Sequence, residues 1–212
     1  MKIVCIGDSL TFGFGVPRRQ TWTALAQGEL GVDIVNKGIP GDTTGGMLVR
    51  YAAELERHRP ALVCVMGGFN DIFFGGDDRP ARANIAAMIH QSTSRNVVPL
   101  LCTPAPVVVG NARADWARLV DFFAAQELGR EYVEWLRRFA ATFRIPLLDF
   151  WAFFEGEMRA QGGDAGLYVD GIHPNARGQA TMAAMFVEKV RALMPEKVAA
   201  ETHAGGSLRE ET

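Results

Sequence analysis

Five residues far apart in this chain have the types that acyl transfer needs: Ser9, Gly41, Asn70, Asp170 and His173. The chain holds four serines, at 9, 92, 94 and 207. Only Ser9 directly follows an apolar run of buried-strand type, Met1-Lys2-Ile3-Val4-Cys5-Ile6. A serine hydroxyl is a poor nucleophile until a base removes its proton. His173 can supply that base, because an imidazole exchanges protons near neutrality. It sits in the turn Asp170-Gly171-Ile172-His173-Pro174. Asp170 is therefore near enough to hold one ring nitrogen while the other faces Ser9. Acyl transfer also develops an oxyanion, for which the backbone N–H groups of Ser9 and Gly41 and the side-chain amide of Asn70 are candidate donors. Glycine at 41 would let a substrate approach the backbone closely.

Each residue also has a plainer reading. Ser9 alone suits a helix N-cap or a phosphate-cradling loop. Gly41 suits a turn, and Asn70 a turn or cap. His173, followed by Pro174 and Asn175, suits a helix entry. His58 and His90 fall on expected helix surfaces and His203 in a polar tail. The chemical reading therefore depends on whether the fold gathers the five residues.

The elements that would gather them alternate along the chain. Strand-like apolar runs occur at 2–7, 32–36, 61–66, 97–102 and 145–149. Helical spacing marks about 20–30, the stretch containing Leu48, Tyr51 and Leu55, about 79–94, the stripe from Tyr132 to Phe143, and about 175–193. Asp42 or Thr43 is a plausible cap for the second helix, which Pro60 ends. Pro99 lacks a donor, so the fourth strand should be irregular there or nearer an edge. Residues 103–127 are the least regular, with a possible short helix through Trp116, Leu119, Val120 and Phe123. Such an excursion suits a pocket wall or lid as well as a packed insertion. Residues 150–169 read as loop with at most a helical turn, and the stretch 196–212 as a polar, frayed tail.

This alternation implies an α/β fold, a flavodoxin-like three-layer α/β/α sandwich. We expect about five parallel strands in the order 2-1-3-4-5, in one domain spanning 1–195. Ligands of such sheets sit at the carboxyl ends of the strands. Each of the five residues follows, or leads on from, a strand at that edge.

Composition narrows the function. The chain has 212 residues, 48% hydrophobic and 22% charged, with a formal net charge of −2. These shares suit a soluble globular domain. The charge leaves no basic excess to neutralise nucleic-acid phosphates. No apolar stretch approaches the ~18–20 residues of a membrane span. The first residues enter a strand at once, leaving no room for a signal peptide. Three cysteines, Cys5, Cys64 and Cys102, fall in strands, which suggests buried free thiols and a reducing, cytoplasmic compartment. No pattern of metal-ligand spacing occurs.

Four blocks carry a family resemblance. Gly7-Asp8-Ser9-Leu10, Gly38-x-x-Gly41-Asp42-Thr43, Gly67-Gly68-Phe69-Asn70-Asp71 and Asp170-Gly171-Ile172-His173-Pro174 resemble, in order and spacing, those of the SGNH (GDSL) hydrolase superfamily. The similarity covers about residues 2–193, and is nearest to small bacterial lysophospholipase/thioesterase-like and arylesterase-like members. It implies a serine esterase acting on carboxylic esters or thioesters through an acyl-serine intermediate, without a cofactor. By resemblance Ser9 is the nucleophile, His173 the base, Asp170 its orienting partner, and Ser9, Gly41 and Asn70 the oxyanion donors. Phe69 departs from the family pattern, standing where many members run Gly-Gly-Asn-Asp. With no large cap domain, short or medium acyl chains are expected. Candidate pocket residues are Leu10, Phe69, Phe73, Pro106, Val107 and Ile172, within a wider apolar set that includes Phe12, Phe14, Ile72, Phe74, Val108 and Val109. The partner is then a small-molecule ester. An acyltransferase with the same triad is one alternative. A non-catalytic flavodoxin-like module binding a phosphate or nucleotide is another.

Overall fold

The structure, a computed structural model, describes residues 1–199. Five parallel strands form one sheet: β1 (Lys2–Gly7), β2 (Asp33–Gly38), β3 (Leu62–Met66), β4 (Val98–Thr103) and β5 (Leu147–Asp149). Their spatial order is β2-β1-β3-β4-β5, as the alternating pattern predicts. The helices are α1 (Ser9–Phe12), α2 (Trp22–Leu30), α3 (Thr44–His58), α4 (Phe69–Gly75), α5 (Arg79–Thr93), α6 (Phe122–Phe143), α7 (Phe150–Gln161) and α8 (Ala176–Leu193).

Alternate strand residues supply two cores. Ile3, Cys5, Leu62, Cys64, Leu100 and Cys102 face Trp22 and Leu30 of α2, Phe150 and Phe154 of α7, and Phe186 and Val190 of α8. Val4, Ile6, Val63, Val65 and Leu101 face Tyr51 of α3, Ile85 and Met88 of α5, and Tyr132 and Leu136 of α6. Burial on both faces is why β1 and β3 read as unbroken apolar runs. Pro99 pairs opposite Val63 inside the sheet. β5 begins opposite Leu101, so β4 has no neighbour on that side at Pro99, where a missing donor costs no ladder bond.

Register sets up the site. Gly7 pairs with Gly38 on one side and Met66 on the other. Three strand ends thus stop level, and the loops bearing Ser9, Gly41 and Asn70 leave from adjacent points. The Ser9–Phe12 turn folds back over this edge. A Cβ at Gly7 would sit 2.1 Å from Thr11 Oγ1, and one at Gly38 2.2 Å from the Phe12 nitrogen. Only glycine permits so close a return.

Of the two caps expected for α3 the second is the one used, and several other sequence expectations change. Thr43 caps α3 by accepting from Gly46 N–H. Residues 150–161 form α7, not loop, capped by Asp149 and burying Phe150, Trp151 and Phe154. Phe122 to Phe143 is one continuous helix, while Trp116–Arg118 is only a 3₁₀ turn. Asn70 lies in α4, not in a bare turn. Helix continues past the expected boundary at 195: residues 195–199 are helical, and Val198 is buried in the core. The rest of the expected tail, 200–212, lies outside the described residues. No described helix is long and apolar enough to cross a membrane.

Candidate active site

Asp8 shapes the first loop. Its carboxylate accepts the Leu10 N–H at 2.9 Å, capping α1 and setting Ser9 as the first helical residue. Ser9 Oγ lies 2.9 Å from His173 Nε2. On the far side of the ring, His173 Nδ1 lies 2.8 Å and 3.0 Å from the two carboxylate oxygens of Asp170. The turn makes this reach possible, since Asp170 Oδ1 also accepts the backbone N–H groups of Ile172 and His173 at 3.1 and 2.9 Å. Burial works to raise the Asp170 carboxyl. The ring hydrogen bond, the imidazole charge and the two backbone N–H groups outweigh it and hold the carboxyl below the usual carboxylate value. The ionised form that orients a histidine is thereby favoured.

A backbone contact anchors the catalytic turn. Gly171 has φ 78°, and its carbonyl accepts the Val108 N–H at 2.7 Å. A Cβ there would lie 2.7 Å from Val108 O and from Asn111 C. The irregular segment after β4 therefore rests directly on the turn that carries His173.

The second and third blocks are tied to each other. Asn70 Nδ2 donates to the Asp42 carbonyl at 2.9 Å, leaving a second amide proton for another acceptor. Asp71 accepts from Thr44 N–H at 2.9 Å and Thr44 Oγ1 at 2.7 Å. Gly41, with φ 79°, lines the same cleft as Ser9, Asn70, Asp170 and His173. Arg50, which sequence reasoning missed, joins the first and second blocks. Its guanidinium donates to the Asp42 carboxylate at 2.8 Å and to the Gly7 carbonyl at 3.2 Å. An arginine inside a helical stripe gives no sign of such a partner in the sequence.

The cleft wall is largely apolar. Leu10, Phe69, Phe73 and Ile172 line it as expected, with Phe14 and Pro40 beside them. Pro106 and Val107 do not. Val107 is buried in the core, and the Pro106 carbonyl accepts from Tyr168 Oη at 2.7 Å. Their places are taken by Arg113 and Trp116, further along the same excursion. Phe69 is accommodated by a gap in α6: a Cβ on Gly129 would come 2.4 Å from its ring. The ring stacks on Phe73 at 5.4 Å and meets Trp151 edge-on at 5.9 Å. The extra aromatic thus extends the wall without displacing Asn70 from the cleft.

Residues 5–181 match the model of the GDSL-like lipase/acylhydrolase family. The chain belongs to this family. Among relatives of this hydrolase, the esterase TesA of Pseudomonas aeruginosa is 31% identical over 188 residues, covering 84% of this chain and 81% of its own. The thioesterase 1/protease 1/lysophospholipase L1 of Escherichia coli is 26% identical over 198 residues, covering 91% and 84%. A solved lipolytic protein of the G-D-S-L family from Desulfitobacterium hafniense superposes with a TM-score of 0.73 at 23% identity, covering 89% of this chain and 98% of that one. It shares the fold. The hydrolase is a serine enzyme acting on ester bonds.

Proposed function

We propose that this hydrolase cleaves carboxylic esters or thioesters of short to medium acyl chains, with Ser9 as nucleophile. The observation that carries the reading is the unbroken relay from Ser9 Oγ through both ring nitrogens of His173 to Asp170. His173 Nε2 takes the serine proton as Oγ attacks the acyl carbon. Asp170 accepts from Nδ1–H, fixes the tautomer and stabilises the imidazolium. The oxyanion takes hydrogen bonds from Ser9 N–H, Gly41 N–H and the second proton of Asn70 Nδ2. Collapse expels the alcohol or thiol, protonated by His173, and water then releases the acid by the reverse sequence.

Leu10, Phe14, Phe69 and Phe73 offer the acyl chain an apolar bed. No separate domain covers the cleft among the described residues, which supports the shorter chains. The names of the two bacterial relatives, an esterase and a thioesterase/lysophospholipase, support both ester and thioester substrates. Cys5, Cys64 and Cys102 are buried free thiols, which supports a reducing, cytoplasmic setting. The test is a panel of acyl esters, thioesters, acetylated sugars and lysophospholipids, run beside Ser9→Ala. Turnover that peaks at short or medium acyl groups and vanishes in the variant supports the proposal. A peak at long chains, or activity surviving in Ser9→Ala, removes it.

A further inference from the structure

We infer that Arg113 makes this hydrolase selective for esters whose alcohol or thiol portion carries an oxyanion, a carboxylate or a phosphate. This inference rests on the hydrolase reading above. Arg113 lines the cleft with Ser9 and His173, and among the described residues it is the only lysine or arginine on that wall. The carboxylates of the cleft do not claim it. Asp170 holds His173 at 2.8 Å, and Asp8 accepts from the Leu10 N–H at 2.9 Å. The partner of Arg113 is Asp115, further out on the same excursion. Arg113 Nε donates to Asp115 Oδ1 at 3.1 Å, and Nη2 donates to Oδ2. Nη1 makes no hydrogen bond among the described residues, so both of its N–H groups stay open. Asp115 chiefly, and the charge of Asp170 more weakly, hold the guanidinium above its ordinary pKa against desolvation. The two side chains are 54% and 60% exposed, and an ion pair so exposed contributes little to stability. An incoming oxyanion can therefore share the guanidinium, or take it over, at little cost.

Position assigns the anion to the leaving group. The residue before Arg113 sits against the catalytic turn: a Cβ on Gly171 would lie 2.9 Å from the Ala112 nitrogen. The Gly171 carbonyl also accepts the Val108 N–H at 2.7 Å. Arg113 is thus carried by a segment fixed to the turn that holds His173. His173 must protonate the departing oxygen or sulfur, so the alcohol or thiol portion is the part of the substrate that passes this turn. The apolar bed of Leu10, Phe14, Phe69 and Phe73 is left to the acyl chain. Asp115 also sets the cation beside the aromatic of the wall, since its Oδ1 accepts the Trp116 N–H at 3.0 Å. In a largely apolar cleft, one planar guanidinium with open donors selects an oxyanion through charge-assisted hydrogen bonds.

The experiment compares kcat/KM for p-acetoxybenzoate and p-acetoxyphenyl phosphate with that for the neutral methyl p-acetoxybenzoate. It uses full-length wild type, Arg113→Gln and Asp115→Asn. The ratio of anionic to neutral ester is read within each protein, which cancels any general loss of activity. Arg113→Gln should lower that ratio by about five- to tenfold for at least one of the two anions, and the larger fall identifies the preferred group. Asp115→Asn, whose amide oxygen can still accept from the Trp116 N–H, should raise the ratio, because the guanidinium loses its competing carboxylate. An ion pair that merely staples the loop predicts an unchanged ratio, or the same change from both variants, and either result overturns the inference. So does discrimination that appears only with the anion on the acyl side, read from p-nitrophenyl hemisuccinate against p-nitrophenyl butyrate. Asp115→Asn decides alone if Arg113→Gln does not fold. Failure of the wild type to cleave any of these esters would instead sink the hydrolase reading.

Discussion

Asp8→Asn should make the enzyme more stable, and only at higher pH. The Asp8 carboxyl is buried beside the nucleophile, and burial pushes it up from 3.8 to about 6. The Leu10 N–H and the charge of His173 pull it down, and Asp42 pushes it up further. For an acid raised in the fold, the folded chain keeps a proton that the unfolded chain has lost. Stability therefore falls as pH rises through the window from 3.8 to about 6. The shift of about 2 units corresponds to a cost on the order of 3 kcal/mol, complete above the folded value. Asparagine is neutral and similar in shape, and its oxygen can still accept from Leu10. Unfolding free energies from urea titrations at pH 4 to 7 should be nearly equal for the two proteins at the acid end. They should diverge to about 3 kcal/mol in favour of Asp8→Asn at the neutral end. A pH-independent difference, or a less stable variant at pH 7, would refute the reasoning. The same change removes a negative charge near His173, so kcat/KM should also decline, by far less than the ~10⁴ associated with losing a triad carboxylate.

Other expectations are more local. Asn70→Ala should lower kcat by about 10²–10³ on p-nitrophenyl butyrate, with KM nearly unchanged, if its amide meets the developing oxyanion; an unchanged kcat would remove it from that role. Gly129→Ala should cost roughly 1–3 kcal/mol in urea unfolding, because the new methyl would meet the Phe69 ring. A helix position without that contact would gain stability from alanine, so a stabilised variant would contradict the packing described. Gly171→Ala meets both a left-handed φ and the 108–111 backbone, so it should lower kcat along with stability. A fully active, equally stable protein would show that the excursion does not anchor the catalytic turn.

Much of the architecture was legible because burial on both sheet faces leaves unbroken apolar runs. Residues 2–7 and 61–66 announced their strands, and the alternation with helical stripes announced the strand order. Residues 150–161 were not legible as a helix. Phe150, Trp151, Phe153 and Phe154 have modest helix propensity, Gly156 has less, and only packing against both cores decides the state. Ser9, Gly41 and Asn70 were legible because each sits in a short block just past a strand, and the level ends of β1, β2 and β3 bring them side by side; Asp170 and His173 were legible as one four-residue turn, which the fold places beyond α7 and not at the end of β5. The pocket was only half legible. Leu10, Phe69, Phe73 and Ile172 adjoin catalytic residues, so sequence proximity placed them. Pro106 and Val107 lie in an irregular excursion, where no periodicity says which residues turn inward. There Arg113 and Trp116 reach the cleft instead. Arg50 was hidden for another reason: its partners, a carbonyl and a carboxylate on other loops, exist only once the strands are in register.

The central claim is that Ser9 is the acylated nucleophile. Intact-protein and peptide mass spectrometry after reaction with a fluorophosphonate tests it most directly. A single adduct is expected on the peptide containing Ser9, absent from Ser9→Ala and slowed strongly in His173→Ala. An adduct mapping to Ser92, Ser94 or Ser207, or labelling that persists in Ser9→Ala, would contradict it.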